Sequence, residues 1–463
     1  MAMRGGRSFV ILVVVALGLG AYIYFVESQR DVGPSIVEGD PVFAIDTGTI
    51  EEVQIRSTSG ETTTVRHDDG TWRIVEPATL PADISAVGSV LSTLETLTTE
   101  RTVDEAPISV AEYGLDPARL SIAFRVTGDA TLQRLDLGDL TPTGADLYAR
   151  VEGDPKLILI ASFHEASFDK TAFDLRDKQV LDFSRDGVDT LRIAPADGEA
   201  VSLAKVGDGW RLSEPVDARG DLSAVDGIVS SVFGARMTSV AHPADPADTT
   251  EPDADDLRRF GLDRPAVTVT LGEGSTRATL AVGAENDAGA RYARDLSRPI
   301  VFAIESSVFD ALTTTADDLR AKDLFAFRSF TAVGVDLAFD GTARTYEKRT
   351  TTSDDDPPTT TDSWVDTSPD AGDLDQAAVT NLLTSISNLR ADAFASRALS
   401  SGEEFVVTAR FGDAASPDEE RVVFRRDGDT VHAIREGEPG AAIVVTADFD
   451  RALTLFKELA GIQ

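Results

Sequence analysis

Apolar positions along this chain follow two rhythms that take turns. Between Val53 and Val75 the runs VQIRS, TTVRH and TWRIV alternate with period two and are separated by Gly or Asp, which predicts an antiparallel meander. Next comes a stripe at helical spacing, Ile84, Val87, Val90, Leu91, Leu94 and Leu97, preceded by Asp83 where a helix needs an N-cap acceptor. Alternation then resumes through LSIAFRV, LQRLDLG, LYARV and LILIA, followed by a short helix near Phe168.

The same succession returns twice. A shift of 138 residues lays Val53 to Leu97 on Leu191 to Ala235 without a gap, with 12 of 45 positions identical, where composition alone gives about three. The identities include Ile55 with Ile193, Gly60 with Gly198, Trp72 with Trp210, Pro77 with Pro215 and Asp83 with Asp221. At a shift of 292, Trp364, Pro369 and Asp375 take the places of Trp72, Pro77 and Asp83. The helical stripe recurs as Leu222, Val225, Ile228, Val229, Val232 and Ala235, and again as Val379, Leu382, Leu383, Ile386 and Leu389 with Gln376 in its first position. The later strands recur as VTVTLG, TRATLAVG, RYARD and IVFAIE, then as FVVTARF, RVVFRR, TVHAIR and AIVVTA. An acidic, Thr-rich stretch at 350–362 interrupts the third copy and is expected to be a surface loop.

Each copy thus reads as strands, helix, strands, helix. The expected class is α+β, with helices packed on one face of antiparallel sheets, as three tandem repeats of a sheet-plus-helix unit after one N-terminal transmembrane helix. A parallel doubly wound sheet is disfavoured because strands come in groups without a helix between successive members. The expected boundaries are a cytoplasmic N-terminus at 1–8, the transmembrane helix at 9–26, a linker at 27–40, and repeat units at 41–182, 183–326 and 327–463.

The span rests on FVILVVVALGLGAYIYFV, from Phe9 to Val26, which is free of charge and about 27 Å long as a helix, near the hydrocarbon thickness. Arg4 and Arg7 precede it, while Glu27, Arg30 and Asp31 follow. That bias places the N-terminus inside and the body outside the cytoplasmic (inner) membrane, periplasmic or otherwise extracytoplasmic. A cleaved signal peptide is disfavoured, since the stretch ends in AYIYFVES, a poor cleavage site.

Charge narrows the partners. Beyond residue 30 the chain carries 40 bases against 78 acids, a field that repels phosphate backbones and makes nucleic acid an unlikely partner. Cysteine is absent, which removes disulfides, thiolate metal sites, thiol nucleophiles and a lipidated cysteine anchor.

Candidate chemistry is sparse. Tyr113-Gly114-Leu115-Asp116-Pro117 matches Phe260-Gly261-Leu262-Asp263 with Pro265, and suits a ligand loop or, preferably, a turn whose Leu plugs the core. Leu175-Arg176-Asp177-Lys178 matches Leu319-Arg320-Ala321-Lys322 where one copy hands over to the next. Its bases suit an anion or, preferably, carbonyls that tie consecutive copies together. The three Trp suit sugar stacking or core anchoring, with anchoring preferred. His67, His164, His242 and His432 lie far apart in sequence, so no zinc site is expected. Asp354 to Asp356 and the trio Asp253, Asp255 and Asp256 lack the alternating ligands and Gly of a calcium loop. No nucleophile elbow or phosphate-cradling loop occurs, so no catalytic residue, cofactor or metal is assigned.

With these features laid out, the chain resembles the bacterial family called domain of unknown function 4340. The likeness is carried by the apolar N-terminus, the Trp-x-x-x-x-Pro strand end, the Tyr/Phe-Gly-Leu-Asp turn, the Tyr-Ala-Arg strands at Tyr148 and Tyr292, and the Leu-Arg-x-Lys handover. The third copy departs, with Ile434 in place of the Arg and no Gly-Leu-Asp turn. The resemblance implies a membrane-anchored extracytoplasmic protein, encoded beside components of an ABC-type transporter, with no assigned activity. The expected function is therefore a non-enzymatic accessory or scaffold protein with a membrane protein partner such as that transporter. Alternatives are a module binding cell-envelope glycan or another ligand, and a hydrolase whose carboxylates the sequence does not single out.

Overall fold

The computed structural model describes residues 39–243, 250–353, 359–369 and 371–462. By compactness the chain divides into one unit ending at Asp177 and a second running from Lys178.

In the first unit Ile50–Arg56 is the pivot strand. It pairs on one side with Thr62–Asp68 and on the other with Leu120–Val126, a strand that lies beyond the helix in sequence. Thr71–Glu76 and Leu80–Pro81 extend the sheet one way, and Gln133–Leu140, Asp146–Val151, Leu157–Ala161 and Arg101–Asp104 the other, all antiparallel. The helix Ile84–Thr96 starts where Asp83 accepts hydrogen bonds from the backbone N–H groups of Ser85 and Ala86. It buries Val87, Val90, Leu91 and Leu94 in a core with Ile55, Ile74, Phe124 and Phe168. At about 1.5–3 kcal/mol per buried aliphatic, that stripe outweighs the weak propensity of its β-branched and Gly positions. Thr98–Thr99, just past the helix, pairs with Asp40–Pro41 in a separate two-stranded ladder.

The second unit contains two large sheets with that same order. One runs Ala218–Arg219, Gly209–Glu214, Val201–Val206, Thr190–Pro195, Val267–Glu273, Thr276–Glu285, Arg291–Asp295, Val301–Ile304 and Ser239–His242. The other runs Thr360–Asp366, Thr342–Thr352, Ala332–Phe339, Glu403–Phe411, Asp418–Asp427, Thr430–Arg435, Ala441–Val444 and Ala391–Ala395. Leu222–Gly234 and Gln376–Ser387 are the corresponding helices, capped by Asp221 and Asp375. The last core is aromatic: Phe325, Phe327, Phe405 and Phe424 meet Phe449 and Phe456 of the closing helix Thr446–Ala460.

Four expectations are corrected by these observations. The α+β class does not hold: the chain is mostly β, 43% strand against 21% helix, in four antiparallel sheets. The reason is that strands before and after each helix close into one continuous sheet, so the helices are short covers and not a layer of equal weight. Second, no helix among the described residues is long and apolar enough to cross a membrane. The longest described helix with an apolar stripe, Thr446–Ala460, has 15 residues, short of the roughly 20 that a span needs. The single-pass inner-membrane placement is corrected on that finding; the stretch 9–26 expected to span lies outside the described residues. Third, the described ends of the stretch 350–362 lie at the surface as expected but form a ladder and not a loop, with Thr350, Thr351 and Thr352 paired to Asp362, Thr361 and Thr360. Fourth, the first stripe position is not core: Ile84 is 67% exposed and Leu222 48%.

Candidate functional site

The turn motif is a structural clasp. Gly114 and Gly261 adopt φ of 70° and 66°, which only Gly enters freely, and the Leu that follows each is buried. Tyr113 packs on Tyr148 and Phe260 on Tyr292, both with ring centres 4.8 Å apart. Two separately noticed motifs therefore meet. Each clasp closes on a strand glycine, Gly138 or Gly283, where an added Cβ would lie 2.0 Å from the Tyr113 carbonyl oxygen or 2.3 Å from that of Phe260.

The tryptophans are anchors. Trp210 and Trp364 are buried, and Trp210 donates its indole N–H to Asp226 at 3.2 Å. Trp72 is half-buried against the first core. The histidines stay apart, and no described group of three His, Asp or Glu is placed to hold a metal. Asp253 serves instead as an N-cap, accepting from the N–H groups of Asp256 and Asp255, which hold its carboxyl below the ordinary range. Asp354 to Asp356 lie outside the described residues. The buried acids are committed elsewhere: Glu52 to Arg66 and Arg125, Asp295 to Arg298, and Glu420 to Arg435 and the Ala326 N–H.

The handover segment is held by backbone hydrogen bonds, whereas the favoured reading gave that part to its basic side chains. In the first unit Asp83 donates its N–H to the Leu175 carbonyl, and Asp177 donates to that of Pro81. In the second unit Asp221 donates to Leu319 and Ala321 to Arg219, while Ala391 donates to Lys322 and Leu324 to Leu389. Residues 319–324 are thus stitched on one flank to the second copy and on the other to the third.

An open cleft of about 750 Å³ lies beside this stitch. The second copy lines it with Pro195, Asp197, Glu199, Val201, Val216 and the stretch Leu312–Asp317, and the third with Phe394, Ala395, Ser396, Pro439 and Gly440. Arg320 stands in its wall with its guanidinium carbon 3.8 Å from the centre of the Phe394 ring. Burial pulls the Arg320 pKa below its ordinary value, against the opposing pull of Glu438 and Asp317. Nearby, Arg219 donates to Glu438 at 2.7 Å and to the Asp323 carbonyl at 2.8 Å. Arg435 donates to the Leu324 carbonyl at 2.9 Å and to Glu420 at 3.2 Å.

Arg219, Phe394, Arg435 and Glu438 escaped the sequence reading. For Arg435 alone there is a signal: the third copy carries Ile434 where the others carry Arg, with Arg435 next to it. A shift of one residue along a strand moves a side chain to the opposite face, here to the junction.

No curated protein and no solved structure matches the chain. The family model described as Domain of unknown function (DUF4340) matches it twice, over residues 72–250 and 210–410. These overlapping matches reach from just before the first helix into the third large sheet, well over half of the chain. This protein therefore belongs to the DUF4340 family, the domain of unknown function whose model it matches twice in tandem.

Proposed function

We propose that the chain is a non-enzymatic accessory or scaffold protein that holds a protein partner. The observation that carries this is the recurrence of one sheet order, with the two copies in the second unit stitched through residues 319–324 on both flanks. Repetition of one unit presents similar surfaces more than once along a chain. Ile84 and Leu222 occupy the same register position and leave a large aliphatic side chain in solvent twice, which makes them the positions to probe. The family resemblance makes a component of an ABC-type transporter the first partner to test.

Mild extraction followed by crosslinking and mass spectrometry is the test. A partner recovered in constant ratio, and lost from the Ile84→Asp/Leu222→Asp variant, supports the reading. Recovery of the chain alone after crosslinking counts against it. Glycan binding through the tryptophans has little support, since two of the three are enclosed in cores.

A further inference from the structure

The junction cleft contains one cation, Arg320, with a donor left without a partner among the described residues. The Arg320 side chain is 8% exposed, and its nearest acid, Asp317, is 3.9 Å away with its own side chain largely in solvent. Its Nε has no hydrogen-bond partner among the described residues. Arg219 and Arg435, at the same junction, are by contrast each engaged by a carboxylate and by backbone carbonyls. A buried guanidinium whose one acid is distant and solvent-exposed is only partly compensated, and its planar fork of donors matches a carboxylate.

We infer that this cleft binds the C-terminal carboxylate of a short peptide, with Arg320 as the anchor. The remainder of the cleft selects among anions. Asp197, Glu199 and Asp317 sit on the lining and disfavour a polyanion such as a phosphorylated ligand, while they attract a basic side chain upstream of the carboxylate. Val201, Val216 and Phe394 supply apolar surface for the last side chains. The volume of about 750 Å³ falls within the roughly 300–1,000 Å³ of sites that enclose drug-sized ligands, room for a few residues. The Phe394 ring lies against the guanidinium, and Gly440, at φ 79°, lets two segments of the third copy close on each other at the cleft edge, since a Cβ there would lie 2.5 Å from the Ala395 carbonyl oxygen.

Calorimetric titration of the full chain with the tripeptide Lys-Leu-Val as free acid, as C-terminal amide, and with N-acetylvaline tests this. The free acid should bind at least about tenfold more tightly than the amide, the usual worth of a charge-assisted fork. Arg320→Gln should abolish that preference and Arg320→Lys retain part of it, with circular dichroism confirming the fold of each. Equal binding of acid and amide, or no heat with either at millimolar concentration, overturns the assignment. So does N-acetylvaline binding as tightly as the tripeptide, which would make the ligand a small monocarboxylate. Should Arg320→Gln fail to fold, the acid and amide on the parent chain and the Arg320→Lys variant still decide.

Discussion

Removing one carboxylate, Glu438→Ala, should uncouple the two sheets of the second unit. Glu438 accepts from Arg219 at 2.7 Å and pairs with Arg435 at 3.3 Å, and the three side chains are 13%, 26% and 18% exposed. A fully buried ion pair that loses one partner costs about 3–5 kcal/mol, and a surface pair about 0–1. These groups are mostly but not wholly withdrawn from water, and both arginines keep carbonyl acceptors at Asp323 and Leu324. The expected loss is therefore about 2 kcal/mol. Each sheet carries its own reporter, since Trp210 lies in one and Trp364 in the other. Urea titrations of single-tryptophan versions should show the two reporters unfolding together in the parent and apart in Glu438→Ala. Glu438→Gln, which keeps an acceptor oxygen, should lose about half as much. A change below about 0.5 kcal/mol, or reporters that still move together, would refute the view that this carboxylate joins the two copies.

Other outcomes follow from single features. Asp83→Ala, Asp221→Ala and Asp375→Ala should each destabilise by about 1 kcal/mol while Asn at the same sites is nearly neutral, as thermal unfolding will show. Gly283→Ala forces a Cβ against the Phe260 carbonyl oxygen, so it should lower the midpoint of the Trp210 transition, whereas Gly209→Ala, where a Cβ meets nothing within 4 Å and the backbone is not left-handed, should cost much less. Tyr346 is enclosed, its hydroxyl lacks a partner among the described residues, and burial pushes its pKa from 10.0 up to about 12. Above pH 10 the unfolded chain releases a proton that the folded chain keeps, so stability should fall as pH rises through that window. Tyr346→Phe should be nearly neutral at pH 7 and remove this alkaline loss, measured as the unfolding midpoint against pH.

The helices were legible because a stripe such as Val87, Val90, Leu91 and Leu94 behind an N-cap Asp has one economical explanation, and the strands because period two is equally plain. The fold class was not. Periodicity gives each strand but not its neighbour, and nothing in the run IEEVQIR says that it will pair with LSIAFRV across an intervening helix. The exposed positions Ile84 and Leu222 show a related limit. They continue a stripe in sequence, yet the first helical turn has already swung past the core edge. The cleft was least legible, because Arg320 and Phe394 are brought together only by the joining of two copies. The sequence marked the Leu-Arg-x-Lys handover as a seam without showing that the seam borders a cavity.

The central claim, that repeated surfaces of this chain hold a protein partner, is tested most directly by photocrosslinking in the cell from residue analogues placed at 84 and 222. Discrete adducts with the same protein from both positions, absent from a control at the exposed turn residue Asp208, are the predicted result. No adduct from either position, alongside normal expression and folding of the substituted chains, would contradict it.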